Sequence, residues 1–196
     1  MRGGTADADR RQRLSEIFSG AIEAHRRFAA GEIEAVLATV AALCRALEAG
    51  GKVLAFGNGG SAADSQHFAA ELVGRFARER RALAAVALST DTSVLTSIAN
   101  DYRYDRVFAR QIEAIGGPGD VAIGISTSGA SANVAAGLEA ARARGLTTIA
   151  LTGQDGGPVA AAADIHIRVP VASRARIQEV HGTILHAICE LVEEAV

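Results

Sequence analysis

Two groups of side chains carry types and spacings that chemistry requires. His67 and Glu71 lie four residues apart, so on a helix they share one face, and they follow directly on Gly57-Asn58-Gly59-Gly60-Ser61. That Gly-rich run comes after an apolar stretch, Val53-Leu54-Ala55-Phe56, and before residues with helical periodicity, Phe68, Leu72 and Phe76. A strand, a Gly-rich loop and a helix start form an anion site, because free backbone N–H groups and the positive end of the helix dipole point at one spot. Ser61 is the expected N-cap, and Asn58-Gly59-Gly60 lets the backbone approach a ligand closely. The second group, Ser126, Thr127, Ser128 and Ser131, sets four hydroxyls in six residues between a strand and a helix. Capping the helix accounts for one or two of them, and binding a phosphate or sugar accounts for all four. A phosphate cradle beside a His/Glu pair points to chemistry on a phosphorylated small molecule. His/Glu pairs at this spacing are also common on solvated helices, and it is the preceding loop that singles this one out.

Two further stretches are weaker. Asn100-Asp101, expected in a polar turn after the second strand, offers groups that bond sugar hydroxyls. Arg176-Ile177-Gln178-Glu179-Val180-His181, with His186 beyond it, places Gln178, His181 and His186 as polar exceptions on an otherwise apolar last helix. A histidine among apolar neighbours is more often a core residue than a ligand.

The elements that must position these residues alternate. Helices are expected from about Arg10 to Ala29 and Ile33 to Ala49, before any strand, with residues 1–9 polar and frayed. Strands are expected at 53–56, 84–88, 121–125, 147–151 and 165–169. The intervening helices cover 92–98, 105–115 and 132–144, with a last helix over 174–194. Gly116-Gly117-Pro118-Gly119 is an unambiguous turn. Apolar strands alternating with helices predict an α/β fold, a five-stranded parallel sheet flanked by helices in the flavodoxin or Rossmann manner, with two leading helices. No linker divides residues 10–196, which read as one domain. In such sheets ligands bind beyond the C-terminal strand ends, where the turns 57–61 and 126–131 fall. The leading helices, more than a minimal α/β domain needs, are candidates for packing against another subunit.

Composition excludes other classes. A chain of 196 residues with 49% hydrophobic content buries a full core, and aromatic content of 4% leaves that core to Ala, Val, Leu and Ile. A net charge of −2 gives no electrostatic case for nucleic acid or a membrane surface. No apolar run reaches the roughly 20 residues that span a bilayer, and no signal peptide is evident. Cys44 and Cys189 match no metal or redox spacing and read as free thiols of a cytoplasmic protein.

Taken together, these motifs resemble the sedoheptulose 7-phosphate isomerases (phosphoheptose isomerases) of the sugar-isomerase, or SIS, fold. The resemblance runs from about Gly50 to the C-terminus. It is carried by Gly57-Asn58-Gly59-Gly60-Ser61, His67-Phe68-Ala69-Ala70-Glu71, Ala99-Asn100-Asp101, Gly124-Ile125-Ser126-Thr127-Ser128-Gly129, Leu151-Thr152-Gly153-Gln154-Asp155-Gly156-Gly157 and the Arg176–His181 run. It implies that Asn58, Gly59, Gly60, Glu71, Asn100, Asp101 and Gln178 contact substrate, and that Ser61, Ser126, Thr127, Ser128 and Ser131 hold the sugar phosphate. It implies one zinc ion per subunit on His67, Glu71, Gln178 and His186, Glu71 and His186 as base and acid, and a homotetramer. Gln178 and His186 are eight residues apart, roughly 12 Å along a helix, so on geometry alone His181, three from Gln178, is the alternative ligand. Ala130 stands where the family often has Asn, and the link from Arg78 to Ala84 lacks its Pro. The resemblance also admits non-catalytic SIS proteins that bind a replication initiator, and a sugar-phosphate sensor that binds without turnover. Those initiator-binding members lack the full metal and acid–base set that Glu71 and His186 supply here.

Overall fold

Val53–Gly57 (β1) is buried along its whole length, so it needs strand partners on both edges and helices on both faces. In the computed structural model, which describes residues 3–196, it has both. β1 lies between Ala85–Ala87 (β2) and Val121–Ser126 (β3), and Thr147–Gly153 (β4) and Ile165–Val169 (β5) extend the sheet beyond β3. All pairings are parallel, in the order β2-β1-β3-β4-β5. The helices are α1 (Gly3–Ala29), α2 (Ile33–Glu48), α3 (Gly60–Val73), α4 (Thr92–Asp101), α5 (Val107–Ile115), α6 (Ala132–Ala143), α7 (Gly157–Ala161) and α8 (Arg174–Ala195).

The period of two along each strand sorts the core. Val53, Ala55, Ile123, Ile125, Ile149 and Leu151 face one side, where Phe28, Leu43, Leu72, Ile177, Ile184 and Val192 from α1, α2, α3 and α8 cover them. Leu54, Phe56, Ala122 and Ala150 face the other, against Phe108, Ile112, Val134, Leu138 and Val159 from α5, α6 and α7. Chain direction across the sheet reverses between β1 and β3, and the loops that leave those two strands open the crevice where ligands of such sheets bind. The two polar turns singled out above are those loops.

Several boundaries differ from expectation. α1 begins at Gly3, not near Arg10, so residues 3–9, expected to fray, continue the helix. An Asp7–Arg10 ion pair one turn apart supports that extension, with Arg13–Glu16 in the next turn; Met1 and Arg2 lie outside the described residues. Ser61 is not the cap of α3. Gly59, at φ 56°, is the cap residue, a left-handed conformation that explains a glycine there, and buried Ser61 lies inside the first turn. α4 continues past residue 98 to Asp101, so Asn100 and Asp101 occupy its last turn, not a loop. Nothing between Thr92 and Tyr102 stops a helix. Asp91 caps its start through the Val94 N–H at 2.9 Å, and Thr96 and Ser97 return their hydroxyls to carbonyls of the preceding turn. Asp105 belongs to a 3₁₀ turn, Tyr104–Arg106, ahead of α5.

Candidate active site

The loop from β3 to α6 holds the hydroxyls. Ser131 is the N-cap residue of α6, yet its side chain makes no capping bond. Its Oγ lies 2.9 Å from Ser126 Oγ, which in turn lies 3.5 Å from Ser128 Oγ. Capping therefore does not account for this cluster. Three hydroxyls converge at a helix start with free N–H groups, which is what an oxyanion recruits. Thr127 is half-buried beside them.

The loop from β1 to α3 faces it. Asn58 and Asn133 exchange two amide hydrogen bonds, each 2.8 Å, and Tyr104 Oη donates to Asn58 Oδ1 at 3.2 Å. The Asn58 side chain thus ties the Gly-rich loop to α6 across the crevice. Neither Asn133 nor Tyr104 was singled out in the sequence. An Asn at an expected helix start was the available signal for the first, and its partner lies 75 residues away.

The second group lies further along α3. His67 Nε2 is 2.9 Å from Glu71 Oε1 and 3.4 Å from His186 Nε2. Ligand atoms of His67, Glu71 and His186 all lie within 4.8 Å of one another. The Phe76 ring packs on His186 at 5.5 Å between centroids, and the two imidazoles meet edge to face at 5.0 Å. Two imidazole nitrogens and a carboxylate oxygen turned toward one point form a donor set suited to zinc. The cluster is open: the His67 side chain is 56% exposed and that of Glu71 23%. Glu71 Oε2 accepts no hydrogen bond from the described residues.

α8 runs beside α3 in the same direction, and this explains where each polar residue of α8 arrives. Gln178 meets the N-terminal end of α3. Its Nε2 lies 3.4 Å from Asp64 Oδ2, and a Cβ on Gly60 would overlap its carboxamide. His186, two turns on, meets His67. The carboxamide of Gln178 therefore meets Asp64 and Gly60 rather than the three converging donors, as its separation from His186 by eight residues, about two helical turns, dictates. Asp64 joins the two levels, lining the same pocket as His67, Glu71 and His186. Burial raises its carboxyl above the ordinary range, against a smaller opposing pull from Gln178 and His67. Asp64 was not singled out in the sequence either, although its place three residues before His67 was a usable signal.

His181 points elsewhere. It is fully buried, and burial pushes its pKa down to about 4. Neither ring nitrogen finds an aligned partner among the described residues. It is a neutral core histidine, and His186 is the residue that α8 brings to His67. Cys189 lines the floor of the same pocket as a free thiol pushed up to about 12, by burial first and then by Glu71. Asn100 and Asp101 bond each other at 2.9 Å. Asp101 lines a separate concavity of about 500 Å³ between β2, α4 and α5, which contains none of the three donors.

A parallel α/β sheet with a hydroxyl cradle at its crossover defines a SIS-type sugar-phosphate protein, and the SIS domain profile matches residues 18–153. The chain is 50% identical over 188 residues to a phosphoheptose isomerase from a Roseiflexus species, covering 96% of this chain and 95% of that one. It is 56% identical over 164 residues to one from Citrifermentans bemidjiense, covering 83% and 85%. The solved phosphoheptose isomerase of Neisseria gonorrhoeae superposes with a TM-score of 0.89 at 45% identity, over 94% of this chain and 98% of that one. The chain belongs to the phosphoheptose isomerase family, and its five-stranded parallel sheet with two leading helices is the architecture of that family.

Proposed function

We propose that the protein interconverts sedoheptulose 7-phosphate and D-glycero-D-manno-heptose 7-phosphate, the first step toward activated heptose. The observation that carries this reading is the convergence of Glu71 and His186 on His67, on helices that lead away from the hydroxyl cradle. Ser126, Ser128 and Ser131, with Thr127 and the N–H groups of the α6 start, hold the sugar phosphate, while Ser61 and the Gly59-Gly60 turn line the facing wall. Glu71 takes the proton between C1 and C2 through its unengaged oxygen, and His186 gives a proton to the carbonyl oxygen, so the reaction passes through an enediol. His67 holds the Glu71 carboxylate in place. Gln178, beside Asp64, bonds the sugar hydroxyls; Asn100 and Asp101, in the last turn of α4, are further substrate contacts only as the family resemblance implies them.

His67, Glu71 and His186 would hold the zinc ion, with the Gln178 carboxamide as the fourth donor that the family resemblance implies. Bound there, zinc supplies Lewis acidity at the sugar carbonyl. The protein works in the cytoplasm as a homotetramer. An apolar stripe on α1, in which Leu14, Phe18 and Ile22 are each more than half exposed, and the open face of the His67–Glu71–His186 cluster both support burial against another copy. Incubation of the purified protein with sedoheptulose 7-phosphate, with zinc and after chelation, tests the reading. Aldose forms in the zinc-loaded sample; a protein that binds the sugar phosphate but forms none is a sensor.

A further inference from the structure

Beyond the metal cluster, the ends of α3 and α8 are joined by a buried ion pair. The Glu193 side chain is 2% exposed and that of Arg80 7%, with Arg80 Nε 3.4 Å from Glu193 Oε1 but not aimed at it. The guanidinium is directed at α3. Arg80 Nη2 donates to the Glu71 carbonyl at 2.7 Å, and Nη1 to those of Leu72, Gly74 and Arg81 at 2.9, 3.1 and 2.9 Å. Carbonyls at a helix C-terminus lack intrahelical partners and carry the negative end of the dipole, so a cation there satisfies both. Glu193 meanwhile accepts the N–H groups of Phe76, Ala77 and Arg78 at 3.0, 2.8 and 2.7 Å. Burial alone raises its carboxyl, but those three donors and Arg80 outweigh it and hold the group below the usual range.

The placement ties this pair to the cluster. Arg80 grips the backbone of Glu71 itself. Glu193 stands seven residues, two helical turns, after His186, so both side chains leave the α3-facing side of α8. The segment that Glu193 pins begins with Phe76, whose ring rests on His186. A buried ion pair of this kind gives stability no better than a well-packed apolar pair. What the two side chains fix is direction: the Arg80 guanidinium forks onto the carbonyls at the end of α3, and both Glu193 oxygens accept from the 76–78 backbone.

We propose that the Arg80–Glu193 pair is the positioning device of the His67–Glu71–His186 cluster, clamping the end of α3 against α8 so that the three donor atoms converge on one metal ion. This rests on the reading of the cluster as a metal-holding catalytic centre. Both residues act through others and touch neither metal nor substrate.

The test uses the full chain with Glu193→Gln, which keeps shape and removes charge, and Arg80→Lys, which keeps charge and removes the fork. Zinc affinity is measured by competition with a chromogenic chelator, kcat and KM with sedoheptulose 7-phosphate, and folding by circular dichroism and melting. Loss of a group that orients metal ligands weakens zinc by about 10–100-fold. We expect that loss in both folded variants, with kcat reduced and KM held within about twofold because the hydroxyl cradle is untouched. Glu194→Gln, at the exposed Arg78–Glu194 pair, leaves all three values unchanged. Folded variants that bind zinc as the wild type does, or that change KM and not kcat, overturn the clamp alone. A wild type that binds no zinc overturns the reading of the cluster, and the clamp with it. If Glu193→Gln fails to fold, Arg80→Lys decides.

Discussion

At the scale of single residues, Glu71 and His186 are asked to move the protons. Glu71→Gln keeps shape and hydrogen bonding but removes the base. Turnover is expected to fall by roughly 10²-fold or more, with folding and assembly retained; steady-state rates beside a gel-filtration profile check it. The two histidines of α8 separate cleanly. His186→Asn loses zinc and turnover together, because its Nε2 is one of three converging donors. His181→Asn retains zinc, since that ring is enclosed in the core, and shows its effect as a lower melting temperature; zinc lost in His181→Asn and kept in His186→Asn would reverse the assignment. The hydroxyls are tested by binding. Ser126→Ala with Ser128→Ala is expected to weaken the sugar phosphate far more than it lowers the melting temperature, and unaltered affinity would rule the cradle out.

At the scale of elements, the side-by-side course of α3 and α8 determines which sequence signals proved legible. The strands read out nearly residue for residue, because apolar runs bounded by Gly, Asp or Pro have few other uses. The His67–Glu71 pair and the Ser cluster were legible for a similar reason, as each lies on one continuous segment. Periodicity placed Gln178, His181 and His186 on one helix but left open which of them meets His67, because that depends on the direction of a helix more than 100 residues away. The Asn58–Asn133 exchange and the Arg80–Glu193 pair are invisible for the same reason. The start of α4 was legible and its end was not, since Asn100-Asp101 resembles a turn locally while the helix simply continues. The sheet makes its own prediction through Asp120 at the head of β3, which accepts from the Lys52 and Gly117 N–H groups, both at 2.9 Å, and from Lys52 Nζ at 2.6 Å. Burial raises this carboxyl, but those partners more than offset it and hold it below the ordinary range. A depressed carboxyl stabilises the fold above its unfolded value, about 3.9, and loses that contribution as pH falls through the folded value. Asp120→Asn should therefore be less stable than wild type by about 1–2 kcal/mol at neutral pH. In urea titrations the gap should begin to narrow as pH falls below about 3.9 and should vanish below the folded value, and a gap that does not narrow with acid would show that the charge is not its origin.

At the scale of the whole molecule, the same α1 that packs Ala24 and Phe28 on the sheet side leaves Leu14, Phe18 and Ile22 exposed. The protein should sediment as a tetramer at micromolar concentration, and Phe18→Glu should shift it toward smaller species; a monomeric wild type would contradict this. Assembly, cradle and cluster serve one claim, that bound sugar phosphate exchanges a proton through Glu71 and emerges as an aldose. The direct measurement is an NMR time course of sedoheptulose 7-phosphate with the zinc-loaded protein in deuterated water, run beside Glu71→Gln. The account predicts aldose 7-phosphate carrying solvent deuterium at C2 with the wild type, and neither aldose nor label with Glu71→Gln. A wild type that binds the sugar phosphate yet yields no aldose and no label, or a Glu71→Gln variant that matches it in both, would contradict the account.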